Sequence, residues 1–225
     1  MSNSTIIKIC GCTGKDDARF ALQNGADWIG LNLVGGPREI RLADALAILD
    51  GLDDPSRAVF LLSVEDETSF DKIIENLKPN GVRRLQLYGH VAPRIIQRAE
   101  QQGFETIKVQ AIADEDSIRA ADEFLSDCAT AGPTYLLLDA SSERQLGGTG
   151  RRANWPVIEN AQQKGRLVDW PPQILAGGLN AENVAEALRR VRPAGVDVSS
   201  GVESSPGRKD PVKVTAFTEA VRGQR

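Results

Sequence analysis

The chain has 225 residues, 41% of them hydrophobic and 26% charged, an ordinary globular composition that can bury a sizeable core. Its 27 Lys and Arg against 31 Asp and Glu leave a net charge of -4, spread along the chain rather than in blocks. That pattern argues against nucleic acid or an anionic membrane as partner and leaves small molecules. Three cysteines, two of them one residue apart (Cys10, Cys12), make no disulfide framework and suit a reducing cytoplasm, and a lone His90 argues against a His-built metal centre. No apolar run approaches the roughly 20 residues of a membrane helix, and the polar start MSNST has no basic-then-apolar leader, so a cytoplasmic chain without an export signal is expected.

In chain order, short apolar runs alternate with amphipathic stretches. A strand at Thr5–Cys10 precedes a helix at Lys15–Asn24; Trp28–Leu33 precedes Leu42–Leu49, Ala58–Leu62 precedes Asp66–Leu77, and Arg84–Tyr88 precedes Ala92–Gln101. The second half repeats the pattern: Thr106–Ala111 then Glu115–Leu125, Thr134–Asp139 then Trp155–Gln163, Gln173–Ala176 then Ala181–Val191, and Gly195–Ser199 then Pro211–Val221. Gly25, Gly103 and Pro193 sit where helices should stop, and Asn180 where one should start. Most strands are continuous apolar runs, as parallel strands covered on both faces should be. Eight strand–helix units in this length predict an α/β fold, a single (β/α)₈ barrel spanning residues 1–225, with its active site in the loops at the carboxyl ends of the strands. An open doubly wound sheet would need a Gly-rich dinucleotide fingerprint after the first strand, and Cys10-Gly11-Cys12-Thr13-Gly14 is not one. Gly147–Gly150 and Ser199–Gly207 read as long Gly- and Ser-rich loops.

In a barrel, polar residues at the carboxyl ends of strands are the candidates for chemistry. Gly177–Gly178 and Ser199–Ser200–Gly201 follow neighbouring strands, and glycine lets backbone N–H groups approach phosphate oxygens. A phosphorylated small molecule is the expected partner, although a tight turn alone would also use Gly177–Gly178. Asp139 closes an apolar strand, where partial desolvation raises a carboxyl pKa and suits a general acid; a loop or helix cap is the plainer role. Cys10 closes another, where a thiol serves as base or nucleophile only if nearby positive charge lowers its pKa, and is otherwise inert core. Cys12 shares the strand parity of Cys10, but a Cys-x-Cys metal clip lacks further ligands, so no metal is expected.

Lys8-Ile9-Cys10-Gly11 with Thr13, Asn24-Gly25-Ala26-Asp27, Gln86-Leu87, Leu137-Leu138-Asp139, Gly147-Gly148-Thr149-Gly150, Leu175-Ala176-Gly177-Gly178-Leu179-Asn180 and Gly195-Val196-Asp197-Val198-Ser199-Ser200-Gly201-Val202-Glu203 together closely resemble phosphoribosylanthranilate isomerase. The resemblance implies a cofactor-free Amadori rearrangement in tryptophan biosynthesis, with Cys10 as base and Asp139 as acid. It further implies that Arg38 faces the anthranilate moiety, that Gln86 and Asp197 lie beside the substrate, and that Gly148, Gly177, Gly178, Ser199, Ser200 and Gly201 hold its phosphate, in a monomer or homodimer. Departures cluster in the first half. Tyr88 stands where the family's Gln-Leu-His-Gly has histidine, and Val34-Gly35-Gly36-Pro37-Arg38 looks one residue short and lacks an aromatic and a lysine. Leu62-Ser63-Val64-Glu65 also departs, and Cys12 replaces an aliphatic residue. A paralogue acting on another phosphoribosylamine, or a non-catalytic phosphosugar binder, would share the fold; retention of both Cys10 and Asp139 counts against the binder.

Overall fold

A computed structural model describes residues 4–64, 67–128, 131–139 and 154–224. Eight parallel strands close into a barrel in chain order: β1 (Ile6–Cys10), β2 (Trp28–Asn32), β3 (Ala58–Ser63), β4 (Arg84–Tyr88), β5 (Glu105–Ala111), β6 (Tyr135–Asp139), β7 (Gln173–Leu175) and β8 (Gly195–Val198), with β8 pairing back onto β1. The helices are α1 (Lys15–Gln23), α2 (Leu42–Leu49), α3 (Glu67–Leu77), α4 (Pro93–Gln101), α5 (Glu115–Asp127), α6 (Trp155–Gln163), α7 (Val184–Val191) and α8 (Pro211–Arg222). No helix among the described residues is long and apolar enough to cross a membrane.

Each strand divides its side chains between two cores, because successive residues point to opposite faces. On β1, Ile7 and Ile9 join the layer between barrel and helices, while Cys10 belongs to the barrel interior with Trp28, Val59, Leu61, Ile107, Leu137, Ile174 and Ala176. The amino end of the interior is plugged by residues that open their strands. Arg84 stacks 4.5 Å over Trp28, Trp28 meets Tyr135 edge-on at 5.3 Å, and Arg84 Nε approaches Glu105 Oε2 to 2.7 Å as an ion pair without hydrogen-bond alignment. That end carries packing, so chemistry is left to the other.

Two sequence expectations are corrected. Helix α7 begins at Val184, not at Ala181; Asn180 caps the turn before it, its Oδ1 accepting from the N–H groups of Glu182 and Asn183, and Asn183 Oδ1 accepts from Asn180 N–H in return. The stretch Ser199–Gly207 is not an irregular loop: a 3₁₀ turn at Ser200–Val202 leads into an antiparallel ribbon of β9 (Glu203–Ser205) and β10 (Arg208–Lys209). Short polar strands bounded by Pro206-Gly207 carry too little hydrophobic alternation to be seen as strands in sequence.

Candidate active site

The carboxyl end of β1 starts the site. Gly11, at φ +74, and Cys12 both direct their N–H groups to the Gly30 carbonyl, and this turn ends the alternation of the strand. Cys10 therefore stays inside the barrel while Cys12 turns into the outer layer, fully buried, with burial pushing its thiol up to about 12. The shared parity read from sequence is thus corrected: the two sulfurs serve different cores. Gly30 on β2 is part of the same design, because a Cβ there would lie 2.8 Å from Cys10 Sγ and 3.1 Å from Lys8 Nζ.

Lys8 is the buried charge that sequence reasoning passed over. It sits one inward position below Cys10, is wholly buried, and donates from Nζ to Asp197 Oδ1 at 2.8 Å. An apolar-flanked lysine of the same parity as Cys10, with an aspartate of like depth in the last strand, was the signal that could have found it. Burial alone would drive its ammonium down; Asp197 and then Cys10 reverse this and hold it above the ordinary lysine value. Burial pushes the Cys10 thiol up; Lys8 opposes that most strongly, Asp197 adds to it, and Lys209 opposes it.

Across the mouth, Asp139 ends β6 as a buried residue of the same inward parity as Leu137. On β4, Gln86 and Tyr88 also share the inward face. Gln86 is fully buried, and its Nε2 donates to Tyr88 Oη at 2.9 Å while its Oε1 has no partner. Burial raises the Tyr88 phenol well above its ordinary value, and negative charge on Cys10, Asp197 and Asp139 raises it further. Tyr88 packs against the interior cluster that contains Cys10.

Arg38 lies where the loop after β2 folds back, shaped by Asn32, whose Oδ1 accepts from Val34 N–H and whose Nδ2 donates to the Gly35 carbonyl, both at 2.9 Å. Its guanidinium is held in a fork by Glu203, with Nε to Oε1 at 2.8 Å and Nη2 to Oε2 at 2.7 Å. Lys209 donates to the same carboxylate at 2.8 Å and also to the Cys10 carbonyl, so Glu203 and Lys209 anchor the end of β1. Sequence reasoning gave neither of them a role, because both act through the β9–β10 ribbon it did not foresee.

After β7 and β8, the expected phosphate half forms one surface. Gly177 and Gly178 adopt φ of +85 and +61, and Asn183 Nδ2 donates to the Gly178 carbonyl at 2.9 Å. A Cβ on Gly201 would fall 1.9 Å from the Leu179 carbonyl oxygen, so the two loops pack backbone to backbone. Ser200 and Gly201 open the 3₁₀ turn with N–H groups that its single turn cannot use, and Ser199 Oγ is buried without a partner 3.2 Å from where a Gly11 Cβ would lie. Gly148 falls within residues 140–153, outside the described residues. His90 is exposed two positions beyond Tyr88.

The family model for N-(5'-phosphoribosyl)anthranilate isomerase matches residues 7–220. An N-(5'-phosphoribosyl)anthranilate isomerase of Trichlorobacter lovleyi is 38% identical over 212 residues, covering 94% of this chain and 95% of its own. The crystal structure of phosphoribosyl anthranilate isomerase from Thermotoga maritima superposes with a TM-score of 0.82 at 28% identity, covering 97% of this chain and 99% of that one. A structure of such an isomerase in complex with reduced 1-(o-carboxyphenylamino)-1-deoxyribulose 5-phosphate gives 0.78 at 26% identity, with the same coverage of 97% and 99%. With the barrel, the inward Cys10 and Asp139, and a family match running from β1 into α8, the chain belongs to the N-(5'-phosphoribosyl)anthranilate isomerase family.

Proposed function

We propose that this chain carries out the cofactor-free Amadori rearrangement of N-(5-phosphoribosyl)anthranilate to 1-(2-carboxyphenylamino)-1-deoxyribulose 5-phosphate, a step of tryptophan biosynthesis. The carboxyl of Asp139 protonates the furanose ring oxygen, the bond from that oxygen to sugar carbon 1 breaks, and the anthranilate nitrogen supplies the electron pair of an iminium. The Cys10 thiolate then takes the proton from carbon 2, whose electron pair neutralises the iminium and leaves an enolamine. Loss of the proton from the carbon 2 hydroxyl and protonation of carbon 1 complete the ketone. The phosphate rests on the backbone at Gly177, Gly178, Ser200 and Gly201 with the hydroxyl of Ser199, and Gly148 is a further phosphate contact. Arg38 and Asp197 flank the anthranilate and ribose ends, and Gln86 supports the mouth from below.

The observation that carries this reading is that a thiol ending β1 and a carboxyl ending β6, Cys10 and Asp139, are both buried at the carboxyl end of the barrel on inward-facing positions. Because burial holds the resting thiol above its ordinary value, the base form must be generated against that bias, and Lys8 and Lys209 are the cations that favour it.

The test is turnover of phosphoribosylanthranilate made in place from anthranilate and phosphoribosyl pyrophosphate by a transferase, followed as loss of fluorescence. Cys10→Ala and Asp139→Asn should each lower kcat by at least ~10²-fold, the range that positioned acids and bases supply, with phosphate binding nearly unchanged. Wild-type protein that binds inorganic phosphate yet never consumes this substrate would refute the proposal in favour of another phosphoribosylamine or of a pure binder. Parallel loss of binding and turnover in both variants would refute the assigned roles.

A further inference from the structure

Tyr88 stands where sequence resemblance leads one to expect an imidazole, and its surroundings define what it can do. The phenol oxygen accepts from Gln86 Nε2 at 2.9 Å, and Gln86 is fully buried one inward position below it on the same strand, so the amide cannot exchange this partner for water. With that lone pair engaged, the phenolic proton points away from Gln86. Among the described residues it meets no acceptor. Cys10, Asp197 and Asp139 act on the oxygen from three other strands, and each, when charged, opposes phenolate formation. A hydroxyl so placed is neutral and has its proton free to donate. Tyr88 also packs against the interior cluster that holds Cys10, the group assigned to the carbon 2 proton.

We propose that Tyr88 is a catalytic hydrogen-bond donor, held as a donor by Gln86, that stabilises the oxygen on carbon 2 of the substrate as its hydroxyl proton leaves and the enolamine collapses to the ketone. This rests on the isomerase reading given above. No proton changes hands at Tyr88: Cys10 receives the carbon 2 proton and the electron pair enters the new carbon 1–carbon 2 double bond, neutralising the iminium; in the collapse that follows, as the carbon 2 hydroxyl loses its proton and carbon 1 gains one, the oxygen gains negative character and the phenol shares its hydrogen with it. Gln86 is a positioning residue, acting through Tyr88. An imidazole in this position would ionise near neutral pH, whereas the phenol keeps its proton across that range.

The experiment compares Tyr88→Phe, Tyr88→His and Gln86→Met with the wild type in the fluorescence assay, recording kcat and KM from pH 5.5 to 9.5 on the full chain, with Cys10→Ala as the inactive reference. Tyr88→Phe should lower kcat by about 10–10²-fold with KM changed less than about threefold, as loss of a donor to a developing oxyanion does. Tyr88→His should recover much of that loss and introduce a new ionisation near the ordinary histidine value of about 6.5 in its pH profile, absent from the wild type. Gln86→Met should fall between wild type and Tyr88→Phe, since it frees the phenol without removing it.

A Tyr88→Phe enzyme with wild-type kcat would overturn the inference. A change in KM alone, or a Tyr88→His enzyme no better than Tyr88→Phe, would overturn it equally. Either result leaves the isomerase reading standing as long as wild-type turnover is lost in Cys10→Ala. An inactive wild type refutes that reading instead.

Discussion

At the scale of single residues, the site turns on a buried positive charge. Lys8 serves Asp197 and Cys10 at once, and it is the ammonium that most strongly opposes the effect of burial on the thiol. Lys8→Met should therefore shift alkylation of Cys10 by iodoacetamide to higher pH and depress turnover. It should also destabilise the barrel by about 3–5 kcal/mol, because the Asp197 carboxylate is left buried and unpaired. Urea titration checks the second effect, and the paired change Lys8→Met with Asp197→Leu should restore much of the stability without restoring activity. Equal stability of the single and paired variants would remove the electrostatic account. For the wild type, a base held above its ordinary value predicts kcat/KM still rising with pH past the free thiol value of about 8.5, while a plateau reached by pH 7 would contradict a thiol held up by burial.

At the scale of elements, the site depends on how the loops after β7 and β8 share space. Gly201→Ala would push a methyl group into the Leu179 carbonyl, where a Cβ stands 1.9 Å away, so the two loops must part. The expected result is a rise in KM of about 10-fold or more, the scale of a lost phosphate contact near 1.4 kcal/mol, with kcat little changed. Unaltered KM would mean that phosphate is held elsewhere. The eight strands and their helices were legible because continuous apolar runs, period-3.6 stretches and Gly or Pro stops all agreed, as at Arg84–Tyr88, Leu42–Leu49 and Trp155–Gln163. Where such agreement was lacking, the reading slipped. The start of α7 moved three residues on because the Asn180–Asn183 exchange forms a turn first, and the β9–β10 ribbon had no hydrophobic pattern to show it.

At the scale of the whole molecule, Glu203 ties the chain's beginning to its end. Burial alone would push its carboxyl up, but Arg38 and Lys209 outweigh that and hold it below the ordinary glutamate value. A carboxyl depressed in the folded state adds stability that is present above the unfolded value of about 4.3 and disappears as pH falls through the lower folded value. The fall of Tm on acidification through that window should be shallower in Glu203→Gln, which begins from a lower Tm at pH 7. Identical acid slopes would show that Glu203 is not a titrating anchor. The raised thiols of Cys10 and Cys12 act in the opposite sense: their contribution is intact below the free thiol value and is lost as pH rises above it.

The sequence by itself determined the barrel, its strand order and the positions where chemistry could sit, because those follow from local periodicity and from the rule that strand carboxyl ends face the active site. It placed Cys10, Asp139, Asp197 and the Gly and Ser pairs at those ends. Only the tertiary structure decided which of them meet. It separated Cys10 from Cys12 through the turn at Gly11, put Lys8 against Asp197 across the β1–β8 seam, and bound Arg38 to Glu203 in the β9–β10 ribbon. Side chains 189 and 165 residues apart in sequence are brought within 2.8 Å by barrel closure and by ribbon packing. No local pattern in the chain encodes such partners, since charge and burial at one residue take effect only when the closed barrel supplies the other.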